Sequence, residues 1–138
     1  MPGQLGTGSF NVKDLVIEEP AGSDMPTNTI PQGGTFDLSL TFEGNGAHWV
    51  NMTNLALDYQ VDYYVEGIGI TSDVEKDGPV TGTLAPGKLT YKGPDTKFTV
   101  ANNNLKPGIY RVTGIVLFPK WPGTTGFVED NLMQVYSP

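Results

Sequence analysis

Residues 34–43, GTFDLSLTFE, carry the pattern that decides the fold: Phe36, Leu38, Leu40 and Phe42 alternate with polar residues. Because successive side chains of a β-strand point to opposite faces, this alternation predicts a strand with one buried face and one wet face. No stretch of ten or more residues has the three-and-four spacing of apolar residues that is typical of a helix. The sequence therefore predicts an all-β protein without a helix longer than a single turn.

Two further long runs repeat this alternation on either side of shorter strand candidates. In the first, the side chains predicted to point inward are Leu57, Tyr59, Val61, Tyr63 and Val65. In the second, they are Tyr110, Val112, Val116 and Phe118. The N-terminal run 9–18 changes phase near Lys13 and Asp14, which predicts a β-bulge there. About eight antiparallel strands of this kind predict a two-sheet sandwich, with a closed barrel as the alternative.

One turn in the sequence carries a resemblance. Leu105, Pro107, Gly108 and Tyr110 form the pattern Leu-x-Pro-Gly-x-Tyr, which resembles the tyrosine corner of immunoglobulin-like and fibronectin type III-like domains. In those domains the Tyr hydroxyl bonds back to the backbone a few residues upstream. The resemblance covers about eight residues and implies an immunoglobulin-like sandwich, but it points to no specific family and does not dictate a function.

Length and composition narrow the classes of function. The 138 residues fit one domain, predicted as a sandwich over residues 9–138 that follows a flexible segment 1–8. The connection 20–34 is also predicted to be flexible, since it is rich in Gly, Pro, Ser and Thr. The absence of Cys excludes disulfides and thiolate zinc sites. A net charge of -7 makes nucleic acids and anionic membranes poor partners.

Segments that would target the chain to a membrane or a compartment are not evident in the sequence. The longest apolar run, 115–118, is far below the roughly 20 residues that a membrane-spanning helix requires, and the first ten residues lack a signal-peptide pattern. We therefore expect a soluble protein, with no insertion into membranes. The sequence does not distinguish a cytoplasmic location from an exported one.

Catalytic motifs are scarce. The sequence has a single histidine, His48, and neither a Gly-x-Ser-x-Gly elbow nor a glycine-rich phosphate loop. A small hydrolase that uses His48 with a Ser, or two of the 15 carboxylates, remains an alternative. The main prediction is a non-catalytic module without an organic cofactor.

Both tryptophans are expected at one end of the sandwich. In an immunoglobulin-like topology, the loops that follow the first and third long strands emerge together. These loops contain His48, Trp49 and Met52, and Trp121. Exposed indoles there would anchor a protein or stack on a sugar, so a carbohydrate-binding module is the leading alternative function. Indoles that fold back to close the end of the sandwich are the other interpretation.

Oxygen ligands are expected at the opposite end. The connections predicted to meet there carry Glu18, Glu19, Asp24, Asp73, Glu75, Asp77 and residues 102–104, which are all Asn. Converging oxygen atoms are the donors that Ca²⁺ prefers, although no contiguous calcium-loop motif is present. Turn carboxylates that simply face water are the competing interpretation.

The outer face of one sheet is the third candidate surface. Tyr64, Ile115 and Leu117 are predicted to point outward, joined by Leu132 and Tyr136 of the last strand. Such an apolar patch is typical of a subunit interface, unless the N-terminal segment or the 20–34 connection covers it. We therefore predict an interaction or assembly module whose partner is another protein or a second copy of the chain.

Overall fold

Two β-sheets lie face to face in the computed structural model, which describes residues 8–19, 26–69, 74–121 and 123–138. In chain order the elements are β1 (Gly8–Glu18), β2 (Thr29–Pro31), β3 (Phe36–Asn45), α1 (Gly46–Asn54), β4 (Asp58–Ile68), β5 (Val74–Thr83), β6 (Thr90–Tyr91), β7 (Phe98–Val100), β8 (Gly108–Leu117) and β9 (Thr125–Tyr136). One sheet has the order β1-β3-β6, with β7 also paired to β3, and the other has the order β2-β9-β8-β4-β5. The architecture is an all-β sandwich, as the alternation predicted.

The three long alternating runs become β3, β4 and β8, and they supply the core. Every side chain predicted to point inward from these runs is buried except that of Leu57, which is half-buried just before β4 begins. Burying one large apolar side chain contributes about 1.5–3 kcal/mol, so these alternating positions dominate the stability of the sandwich.

The neighbour of β3 is discontinuous, and one threonine fills the gap. β7 pairs with residues 36–38 and β6 pairs with residues 42–43, which leaves Leu40 without a strand partner on that side. The buried hydroxyl of Thr96 accepts a hydrogen bond from the Leu40 N–H (3.1 Å) and donates one to the Leu40 carbonyl (2.6 Å). This side chain therefore completes the edge of the sheet where the backbone does not.

Two local predictions are confirmed. The register of β1 against β3 shifts between Lys13 and Val16, and Asp14 has a φ of +54°, so the predicted bulge is present. The Tyr110 hydroxyl donates a hydrogen bond to the carbonyl of Lys106 (2.7 Å), as the tyrosine-corner resemblance implied.

Helix α1 corrects the prediction that no helix exceeds a single turn. Its buried residues Trp49, Met52 and Thr53 have the three-and-four spacing of one helix face. The helix is only 9 residues long, so the pattern spans too few turns to stand out in the sequence. In the described part of the chain, no helix is long and apolar enough to span a membrane.

The connection predicted to be flexible over residues 20–34 contains a strand. β2 lies within it and pairs in parallel with β9, so it extends the edge of the five-stranded sheet. Residues 20–25 of this connection lie outside the described residues, as do residues 1–7 of the predicted N-terminal segment.

Candidate interaction surfaces

The connections after β3 and after β8 meet at one end of the sandwich, as the topology predicted. The indole N–H of Trp121, which follows β8, donates a hydrogen bond to Nε2 of His48 in α1 (3.2 Å). The two rings lie 5.7 Å apart between centroids. Residues 73 positions apart in the sequence are therefore direct neighbours in the fold.

Trp49 does not take part in an exposed site, which corrects one prediction. It is only 2% exposed, and its indole N–H donates a hydrogen bond to the carbonyl of Lys88 (3.1 Å). The rings packed around it belong to Phe10, Phe42, Tyr91 and Phe118. Met52, also predicted in the binding loop, is fully buried. The expected exposure of Trp49 and Met52 is wrong, because the connection after β3 is a helix that turns this face inward. Trp49 agrees instead with the other interpretation, an indole that folds back to close the end of the sandwich.

His48 and Trp121 remain at the surface, each half-buried. A Ser-His hydrolase requires a histidine nitrogen that accepts a hydrogen bond from a Ser hydroxyl. Nε2 of His48 instead accepts the hydrogen bond from Trp121. The carbohydrate alternative required two exposed and coplanar indoles, and the burial of Trp49 removes this arrangement.

The described members of the expected calcium set do not gather into one metal site. Among the described residues, no group of three or more His, Asp or Glu side chains is placed to hold a metal ion. The side-chain amide of Asn103 instead donates hydrogen bonds to the carbonyls of Pro31 (3.1 Å) and Gly34 (2.7 Å), a structural role. Asp24 and Asp73 lie outside the described residues.

Two of the acidic residues do come together on β5. Asp77 is 6% exposed, and the pKa of its carboxyl is raised from 3.8 to about 7. Burial is the largest cause, and the hydrogen bond to Glu75 and the negative charge of Glu75 act in the same direction. These two residues were expected among the oxygen ligands of a Ca²⁺ site, with carboxylates that face water as the competing interpretation, and a pairing between the two was not foreseen.

The outer face of the five-stranded sheet carries the predicted apolar patch. Leu132 is 55% exposed and Tyr136, four residues further along β9, is also exposed, whereas Tyr64, Ile115 and Leu117 are half-buried. The predicted side chains therefore share one face, with the two on β9 most open to solvent. In the polar middle of this face, Arg111 lies 4.0 Å from Glu66.

Ile109 is also exposed on this face, and three exposed apolar residues there were missed, namely Ile68, Val74 and Phe127. Phe127 lies opposite Ile115 and is 64% exposed. Phe127 has an odd number whereas Leu132 has an even one, yet both point outward, because the register of β9 shifts between the partners of Val112 and Thr113. A bulge of this kind inverts the phase of the alternation, so counting back from Leu132 places Phe127 on the wrong face.

A groove of about 370 Å³ opens at one end of the outer face. The hydrogen-bonding side chains among its lining residues are those of Asp58, Tyr59, Gln60, Thr81 and Thr83. The Thr83 hydroxyl donates to the Asp58 carboxylate (3.2 Å). Small-molecule pockets are mostly apolar, so this groove has the chemistry of a polar interface rim instead.

Comparison with known proteins establishes the fold and nothing finer. No protein-family model matches the sequence, and a search of curated proteins found no match. A β-glucosidase from Erythrobacter marinus is similar in structure at 13% identity, with a TM-score of 0.54 over 94% of this chain and 16% of that chain. The alkylpurine DNA glycosylase AlkC of Pseudomonas fluorescens, bound to DNA, is similar at 16% identity, with a TM-score of 0.51 over 93% of this chain and 30% of that one.

A third structure has nearly the same extent as this chain. It is a CARDB domain from Pyrococcus furiosus in complex with di-metal ions, at 11% identity and a TM-score of 0.44, covering 98% of this chain and 99% of that one. The chain spans less than a third of the length of the two enzymes. The likenesses to the two enzymes show a shared fold alone.

Proposed function

We propose that the chain is a non-catalytic assembly module that pairs with a second copy of itself through the outer face of the five-stranded sheet. The supporting observation is the distribution of exposed apolar side chains. Of the nine large apolar side chains that are exposed in the described part of the chain, six lie on this face. They are Ile68, Val74, Ile109, Phe127, Leu132 and Tyr136.

The described elements leave this face open. β1 joins the opposite sheet, and β2 adds to the edge beside β9 instead of crossing the face. An apolar area that is left in water favours association, because burying it removes apolar surface from solvent.

The charge of the face supports a second copy over a strongly basic partner. The described charged side chains there are Asp58, Asp62, Glu66, Lys76 and Arg111, three acids against two cations, so their net charge is -1. Two copies of this face can therefore meet with little repulsion, and the Arg111 of one copy can approach the Glu66 of the other.

The size of the face also fits a dimer. Four strands of ten residues or more, at a spacing of about 4.8 Å and a rise of about 3.3 Å per residue, cover about 600 Å² in projection. Stable interfaces bury about 800 Å² of accessible surface on each partner, and accessible area exceeds projected area.

The strand order and the Tyr110 corner support an immunoglobulin-like superfold for the module. The module would act by pairing this sheet face with the same face of a second copy.

Sedimentation equilibrium over a concentration series tests this proposal. The expected result is a species of about 29.6 kDa, which is twice the 14.8 kDa of the chain. The double variant Phe127→Glu/Leu132→Glu places two charges in the interface, and we expect it to weaken dimerisation at least about 30-fold.

The matched control adds the same two charges outside this face. Val50→Glu/Leu55→Glu alters exposed apolar residues of α1 and of the residue that follows it, so the dimer should persist. A wild-type chain that stays at 14.8 kDa up to about 1 mM would overturn the proposal, since its affinity would be weaker than a specific interface gives. Equal weakening by both double variants would also overturn it.

A further inference from the structure

Two carboxyl groups on the edge strand β5 point into the sandwich. Glu75 and Asp77 are two residues apart, so their side chains lie on the same face of the strand. Their partners on β4 are Val65 and Tyr63, which are both buried. Lys76, between them, points the other way and lies 3.9 Å from the Asp62 carboxylate on the outer face.

The groups around this pair provide no cation among the described residues. β4 presents Val65 and Tyr63, and the Tyr63 hydroxyl donates its hydrogen bond to the carbonyl of Thr96 (2.6 Å). β7 presents Phe98 and Val100, which share the inward face of Leu38 and Phe36. Lys97, just before β7, lies 3.8 Å from the Asp37 carboxylate instead.

The free oxygens of the pair indicate a shared proton. Oε1 of Glu75 and Oδ2 of Asp77 are both buried and have no hydrogen-bond donor in the described structure. Ionised carboxylates only accept hydrogen bonds, so two that face each other have no partner unless one of them carries a proton. Two negative charges in a buried site of this kind repel each other strongly, which keeps one group protonated.

We propose that Glu75 and Asp77 share one proton that holds β5 against β4 and β7, and that loss of this proton loosens this edge of the sandwich. β5 is an edge strand with a neighbour on one side only, and its register against β4 breaks at Gly78 and Pro79, directly after Asp77. The device is independent of the dimer, since the pair lies on the inner side of the sheet.

The direction of the pH effect follows from the pKa of Asp77, which is raised from 3.8 to about 7 by burial and by Glu75. An acid whose pKa is higher in the folded state stabilises the fold fully below its unfolded pKa. This contribution is lost as the pH rises from about 4 to about 7. In the wild type we therefore expect the unfolding equilibrium constant to rise at least about tenfold between pH 5 and pH 8, relative to Asp77→Asn.

Three measurements test the proposal on the whole chain. Urea unfolding of wild type and Asp77→Asn across this pH range gives the relative change in the unfolding constant. Hydrogen exchange, corrected for the intrinsic effect of pH, should show that β5 amides lose more protection than β8 amides as the pH rises. Carboxyl NMR titration of the wild type should show one proton of the pair retained to about neutral pH, and Glu75→Gln should move the Asp77 titration to lower pH.

The control is Asp58→Asn, which removes an exposed carboxylate from the neighbouring strand of the same sheet. It should keep the pH profile of the wild type. The proposal is overturned if Asp77→Asn also keeps that profile, or if both carboxyls of the wild type titrate below about pH 5 in the NMR experiment, which needs no variant to fold. It is also overturned if Ca²⁺ at pH 8 stabilises the wild type but not Asp77→Asn, because the pair would then bind a metal ion instead of a proton.

Discussion

Replacing Gly44 by Ala should destabilise the fold through Trp49. The backbone of Gly44 lies directly against the indole of Trp49, so a methyl group at this position would overlap the ring. The indole would have to move away from Phe42, Tyr91 and Phe118 and would lose its hydrogen bond to the carbonyl of Lys88.

The magnitude follows from three contributions. Overpacking a core costs about 1–3 kcal/mol, and the lost hydrogen bond costs about 1 kcal/mol. The lower flexibility of Ala in the unfolded chain offsets about 0.4–1 kcal/mol of this. The net loss is about 2 kcal/mol, which lowers the melting temperature of a chain of this length by about 6 °C.

Scanning calorimetry with a matched variant measures this effect. Gly123→Ala makes the same chemical change where an added Cβ would have no heavy atom within 4 Å, so its melting temperature should equal or slightly exceed that of the wild type. If Gly44→Ala melts within about 1 °C of Gly123→Ala, the indole is not packed against Gly44. The assignment of Trp49 to the core would then be refuted, and an exposed binding role for this residue would return.

Two further substitutions test single hydrogen bonds. Thr96→Val keeps the shape of the side chain but leaves both backbone groups of Leu40 unsatisfied. We expect it to lower the free energy of unfolding, measured with urea, by about 2–4 kcal/mol. Thr96→Ser keeps the hydroxyl, so its loss should be less than half as large. Equal losses for the two variants would show that the hydroxyl does not bridge Leu40. Tyr110→Phe should lose about 1 kcal/mol by the same assay, whereas Lys106→Ala should change little because the bond uses the backbone carbonyl. A Tyr110→Phe chain as stable as wild type would argue against the corner.

Local signals predicted the elements of the fold well where a strand is half-buried. The alternation over Phe36–Asn45, Asp58–Ile68 and Gly108–Leu117 identified β3, β4 and β8 and most of their inward side chains. The bulge near Asp14 and the corner formed by Tyr110 were also predicted correctly, because each depends on a few neighbouring residues.

The candidate sites were predicted less completely. Placing Trp121 beside His48 followed from topology alone, but whether Trp49 was exposed depended on a short helix with too few turns to be recognised. Phe127 was missed because a bulge inverts the phase of β9. The pairing of Glu75 with Asp77 was missed because carboxylates near a turn usually face water.

The sequence by itself therefore determined that this chain forms a β-sandwich, since the period-two alternation of apolar side chains is a local consequence of strand geometry. Only the tertiary structure decided which surfaces remain available. Trp49 closes one end of the core, the outer face of the five-stranded sheet stays uncovered by the described elements, and Glu75 and Asp77 of β5 point into the sandwich. Burial is a property of what packs against a residue, and those neighbours come from distant parts of the chain.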